Sequence, residues 1–168
     1  MHIFQVVGYQ NTGKTTLLCN LIERFTRMGY RVGTIKHDAH QFAIDQPGKD
    51  TWRHRRSGAD QTVITSSTET AWISQKAVPL ENIIQTLNEL DLVLVEGFKQ
   101  AKYAKIVMVK NDADLALANK LVGVRALAVW PEMYSLAAET PFPVYSIHNI
   151  DGILKQMVNE MEAGELTF

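Results

Sequence analysis

Ile3-Phe4-Gln5-Val6-Val7-Gly8-Tyr9-Gln10-Asn11-Thr12-Gly13-Lys14-Thr15-Thr16 is the stretch on which the fold turns. Residues Ile3 to Val7 form an apolar-rich run with β-branched members, the pattern of a short strand buried on both faces, and Gly8 closes it. Gly8, Gly13, Lys14 and Thr15 then satisfy G-x-x-x-x-G-K-[ST]. From Thr15 to Met28 the apolar residues Leu17, Leu18, Leu21, Ile22, Phe25 and Met28 fall three or four apart, which makes one helical face ended by Gly29. Tyr30 to Ile35 resumes as a strand, so the opening is a βαβ unit, whose crossover is right-handed almost without exception.

The motif therefore sits between a strand and a helix, the context its chemistry needs. Glycines let backbone amides converge on α- and β-phosphates, and the unpaired amides of the following helix add donors and a positive dipole end. The nucleotide-binding residues on this reading are Gly8, Gln10, Asn11, Thr12, Gly13, Lys14, Thr15 and Thr16. Lys14 reaches the β- and γ-phosphates, Thr15 offers a hydroxyl to Mg²⁺, and Thr16 bonds an α-phosphate oxygen.

Outward from this unit, Lys36 to Ala59 is polar and rich in His and Arg, with a short helix expected over Asp50 to Arg56. Thr62 to Thr65 and Ala71 to Ile73 read as strands around the turn Ser66-Ser67-Thr68, so the sheet is expected to be mixed. Pro79 opens a helix with Leu80, Ile83, Ile84, Leu87 and Leu90 on one face. Further strands are expected at Asp91 to Val95, Lys105 to Val109, Ala126 to Val129 and Val144 to Ile147. Helices are expected near Asp114 to Lys120 and Asp151 to Met161. No repeat, low-complexity tract or linker divides the 168 residues, and the fold class is α/β: a single three-layer P-loop domain over residues 1–168 with a mainly parallel, mixed sheet.

A net charge of −1 supplies no bulk positive field, so neither nucleic acid nor an anionic membrane is an expected partner and any anion site is local. The chain enters a strand without a signal peptide, and no apolar run reaches membrane-spanning length, which predicts a cytoplasmic protein. Cys19 is the sole cysteine, and its place in the first helix predicts a small buried hydrophobe.

A second piece of the phosphate site is expected from a buried strand carrying a carboxylate. Asp91-Leu92-Val93-Leu94-Val95-Glu96-Gly97 offers two, at opposite ends. Glu96 stands at the carboxyl end, where open α/β sheets bind ligands, and is expected to reach Mg²⁺ through a water or to position the attacking water; Gly97 allows close backbone approach there. Asp91 starts the strand and reads as a turn residue.

The segment after the second strand crowds together Lys36, His37, His40, Asp45, Lys49, Asp50, Arg53, His54, Arg55 and Arg56. It reads as a nucleotide-sensing switch, with Asp45 or Asp50 as an acidic Mg²⁺ ligand or water-orienting group. Lys36, His37, Lys49, Arg53 and His54 are the cations for a second anionic ligand. His37, His40 and His54 also raise a transition-metal site, although their spacings match no structural zinc pattern.

On GYQNTGKTT, GTIKHDAHQFAIDQPGKDTWRHRRSGA, DLVLVEGFK and the strand KIVMV, the chain resembles the MobB family of molybdopterin-guanine dinucleotide biosynthesis adapter proteins over almost its whole length. The middle stretch is the most family-specific of these. The resemblance implies a GTP-binding protein with weak GTPase activity, usually a homodimer, working beside the guanylyltransferase that joins GMP to molybdopterin. A guanine-reading N-K-x-D is missing: Asn119-Lys120-Leu121-Val122 lacks the aspartate, and Lys110-Asn111-Asp112 only hints at one. The alternatives on the same loop are a small-molecule kinase and a metallochaperone GTPase. Edge strands near Val63 or Ile73 are expected to pair across a two-fold axis.

Overall fold

The computed structural model describes residues 1–38 and 42–164, and these divide into two compact units: residues 1–37 with 84–164, and residues 38–83. His40 lies outside the described residues.

The larger unit contains β1 (His2–Val7), α1 (Lys14–Arg27), β2 (Val32–Lys36), β5 (Leu92–Glu96), β6 (Ala104–Val109), α4 (Asp112–Ala118), β7 (Val124–Val129), a 3₁₀ turn at Pro131–Met133, α5 (Tyr134–Ala137), β8 (Val144–Ser146) and α6 (Ile150–Glu162). The smaller holds α2 (Asp50–Arg56), β3 (Gln61–Thr65) and β4 (Thr70–Ser74); α3 (Leu80–Gln85) straddles the boundary in sequence.

The six strands of the larger unit pair in the order β2-β5-β1-β6-β7-β8, and every pairing is parallel. Side chains alternate between the faces of such strands, and the core divides accordingly. Phe4, Val6, Leu92, Leu94, Ile106 and Met108 pack with α1 and α6, whereas Val7, Val107, Val109, Leu127 and Val129 pack with α4 and the Met133–Ala137 region. The unit is therefore a helix-sheet-helix sandwich, as expected of the α/β class. Leu17, Leu18, Leu21 and Phe25 form the buried stripe of α1, and burying four such side chains contributes about 6–12 kcal/mol before ordering costs.

Three expectations need correction. Among the described residues the central sheet is not mixed: β3 and β4 pair only with each other, antiparallel from Gln61↔Ser74 to Thr65↔Thr70, and β5 enters between β2 and β1 with parallel neighbours on both sides. Cys19 is exposed, because it lies off the buried stripe of α1. With Thr15, Thr16, Asn20 and Glu23 it lines a shallow cavity of about 340 Å³. The helix opened by Pro79 stops at Gln85 instead of running to Leu90, and i→i+3 turns at Leu87 and Leu90 follow. That tightening sets both leucines against Gly33 of β2, where an added Cβ would lie 2.5 Å from Leu90 Cδ1 and 3.4 Å from Leu87 Cδ1.

Candidate functional site

Adjacent strands β1 and β6 send their following helices to opposite faces of the sheet. In open α/β sheets that reversal leaves a crevice at the carboxyl ends of the strands, and ligands bind there. Residues 8–13, between β1 and α1, occupy this position. Their path uses left-handed backbone at Asn11 (φ +60°) and Gly13 (φ +96°), and Gly13 is the residue from which α1 starts. A left-handed N-cap suits glycine, which has no Cβ to clash. The start of α1 receives no side-chain cap and has no acidic residue in its first turn, so its amides and positive dipole end are not met by a carboxylate of its own.

Inside the loop, Thr12 is buried and its hydroxyl donates to Tyr9 O at 2.9 Å, so its side chain serves the loop's shape. Lys14 Nζ donates to the same carbonyl at 2.6 Å. Burial lowers the Lys14 pKa; Glu96, the next largest influence, raises it, Lys99 lowers it, Asp114 raises it and Lys36 lowers it. An anion placed against this ammonium would favour its charged form.

Glu96 ends β5 next to β1, paired with Val6, and is 9% exposed. Thr15 Oγ1 lies 3.2 and 3.1 Å from its two carboxylate oxygens, and Lys36 Nζ lies 3.6 Å from Oε1. The motif hydroxyl and the strand-end acid are thus brought together across 81 residues of sequence. A hydroxyl and a carboxylate are hard oxygen donors of the kind Mg²⁺ takes alongside phosphate oxygens and waters, so the residues fit that ion. Gly97 (φ +94°) lets the end of β2 pass close by, since a Cβ there would meet His37 Cβ at 3.0 Å and His37 O at 3.3 Å.

Lys36 and His37 belong to this edge: His37 N donates to Glu96 O at 2.8 Å, and its ring lies 4.5 Å from that of Phe98. Lys49, Arg53 and His54 are exposed residues of the smaller unit, Lys49 as N-cap of α2 and the other two on that helix. Asp45, in the same unit, has its carboxylate engaged: Arg55 donates twice at 3.2 and 3.0 Å, and Thr51 Oγ1 donates at 3.0 Å. It anchors α2 from the preceding loop, and its charge is already matched. Asp50 pairs with Arg53 at 4.0 Å. Among the described residues no group of three or more His, Cys, Asp or Glu side chains has a geometry that could hold a metal ion. Asp91, at the far end of β5, accepts from Arg31 N at 2.7 Å and from its guanidinium at 3.2 and 3.0 Å, and these hydrogen bonds lower its pKa to about 2.

Several contributors were not singled out from the sequence. Buried Gln5 donates through Nε2 to the carbonyls of Gly97 and Phe98, at 2.9 and 2.8 Å, which fixes the turn beyond Glu96. Lys99, on that turn, places Nζ 4.2 Å from the ring centroid of Tyr9. Asp114, fully buried, accepts from Tyr9 N at 3.3 Å, Lys110 N at 3.0 Å and Asn111 N at 3.2 Å. A polar Gln5 inside an apolar strand and the capping spacing of Asn111 and Asp114 were the available signals; the contacts of Lys99 and Asp114 with Tyr9 join segments far apart in sequence.

The family described as MobB, Molybdopterin guanine dinucleotide synthesis protein B, matches residues 3–130. The chain belongs to the MobB family. Curated MobB relatives extend over nearly all of it: the molybdopterin-guanine dinucleotide biosynthesis adapter protein of Escherichia coli K12 is 32% identical, covering 92% of this chain and 90% of its own. The probable adapter protein of Bacillus subtilis is 30% identical over 94% of each. Solved MobB structures share the fold. That of Bacillus subtilis MobB superposes with a TM-score of 0.78 at 28% identity, covering 93% of this chain and 98% of that one. A MobB homologue from Bacillus stearothermophilus gives 0.73 at 29%, with 97% and 99% covered.

Proposed function

We propose that the chain is an adapter in the making of molybdopterin guanine dinucleotide, binding GTP with Mg²⁺ on the loop from Gly8 to Thr16 beside the guanylyltransferase that attaches GMP to molybdopterin. The observation that carries the site is the Thr15 hydroxyl against both oxygens of Glu96, next to Lys14. Thr15 and Glu96 would hold the ion directly or through water, and Mg²⁺ would neutralise charge on the β- and γ-phosphate oxygens. Lys14 leaves the Tyr9 carbonyl to bond those oxygens, while the loop amides and the open start of α1 take the rest.

Glu96 orients water toward the γ-phosphate. Its carboxylate is held in place by the Thr15 hydroxyl and by Lys36, 3.6 Å away. Lys36 and His37 face the same edge and suit the phosphate of a second anionic ligand, for which molybdopterin is the candidate. The hairpin leaves Val63 49%, Ile64 52% and Trp72 69% exposed, and a two-stranded sheet is marginal alone, so a homodimer joined through β3 or β4 completes the proposal.

Calorimetry tests the reading: Mg·GTP is expected to bind and Mg·ATP to bind more weakly. Equal affinities would remove the guanine assignment, and transfer of labelled γ-phosphate to a small metabolite would replace the adapter with a kinase.

A further inference from the structure

A phosphate loop works through amide direction, yet residues 8–13 lie in no helix or strand whose ladder could orient them. What orients them comes from the ends of other strands. Trp130, the first residue after β7, is anchored by its own N–H to Val109 O at 2.9 Å and donates indole Nε1–H to Thr12 O at 2.9 Å, 118 residues away. Its ring edge also flanks the loop: a Cβ at Gly13 would lie 3.9 Å from Cζ2. Lys110 Nζ stands 4.8 Å from the ring centroid and 3.5 Å from Asn11 O.

A trans peptide is planar, so its C=O and N–H point in opposite directions. Holding the Thr12 carbonyl toward Trp130 therefore turns the Gly13 N–H away from Trp130. Gly13 is the N-cap of α1, the point where the helix amides begin to converge on a bound anion. We infer that Trp130 is a positioning residue for the phosphate tail: through the Thr12 carbonyl it aims the Gly13 amide at the phosphates, and so makes the carboxyl end of β7 part of the nucleotide site. The inference rests on the nucleotide reading above. It assigns Trp130 to phosphates and not to the base.

Trp130→Phe keeps an aromatic ring and removes the indole donor. Loss of one hydrogen bond that orients an amide is expected to weaken Mg·GTP and inorganic tripolyphosphate alike, by about five- to tenfold, with the melting temperature held. A loss confined to GTP would mean that Trp130 touches base or ribose, and unchanged affinity for both ligands would mean that it only packs; either result overturns the inference. A fall in melting temperature with tripolyphosphate affinity intact does so as well. If the variant does not fold, the wild-type chain decides through its ¹⁵N-indole resonances, assigned with Trp52→Phe and Trp72→Phe. The Trp130 Nε1–H is expected to be slow to exchange and to shift on adding tripolyphosphate; fast exchange, or no shift at saturation, overturns the inference. A wild-type chain that binds neither ligand would remove the nucleotide reading and the inference with it. Normal wild-type binding with an unaffected Trp130→Phe removes the inference alone.

Discussion

Helices α1 and α4 start at the carboxyl ends of two neighbouring parallel strands, yet their first turns are finished in opposite ways. At α4, Asn111 Oδ1 accepts from Asp114 N at 3.1 Å while the Asp114 carboxylate accepts from Asn111 N, a reciprocal cap that satisfies the helix from within. At α1 the cap position is Gly13, with no side-chain oxygen and no acid in the turn that follows. Capping residues are common and cheap to encode, and a helix that does without one leaves its first amides open, the arrangement that the proposed phosphate site uses. The closed helix also supports the open one, because Asp114 reaches Tyr9 N.

The contrast can be broken at either helix, and the largest effect is expected at the open one. Lys14→Ala removes a charge-assisted contact of about 1.5–3 kcal/mol, so calorimetry should show triphosphate binding about 10- to 100-fold weaker with the melting temperature unchanged. Undiminished affinity would mean that α1 is not an anion site. At the closed helix, Asp114→Ala leaves three backbone amides without their acceptor and should cost about 1–3 kcal/mol in chemical denaturation. Asn111→Ala loses one cap bond and should cost about 1 kcal/mol with triphosphate affinity nearly unchanged.

The smallest effect is expected at the opposite edge of the sheet, where Asp91 supports structure alone. Its pKa is about 2 when folded, below the ordinary 3.8, so its pairing with Arg31 stabilises the fold above that ordinary value. As pH falls from 4 toward 2 the contribution is lost, and Asp91→Asn should show a shallower decline in stability over that window than the wild type. Parallel declines would detach Asp91 from acid unfolding.

How much of this could be read in advance depended on the length scale of the interaction. The Asp50–Arg56 helix, the βαβ opening and the buried β5 were legible because periodicity and turn residues act within a few positions. Glu96 was legible for a similar reason, since the end of a buried parallel strand is also an edge of the sheet. Cys19 was misjudged because one helical step of 100° separates it from the buried stripe. The short helical turns from Pro131 to Ala137 passed unnoticed because Met133 and Ala137 are too few to make a period.

The chain's own sequence determined that a phosphate loop follows a buried strand, that Lys14 and Thr15 stand at the head of a helix, and that an acid ends a later strand. Each of these is a local statement about residue type and spacing. Only the tertiary structure decided that β5 enters between β2 and β1, bringing Glu96 onto the Thr15 hydroxyl. It also decided that the hairpin stays outside the sheet, and that Trp130 and Asp114 brace the loop from β7 and α4. Strand order carries no local signature: any of the apolar strands could neighbour β1 by composition, and the choice is made by how the helices on both faces close the core.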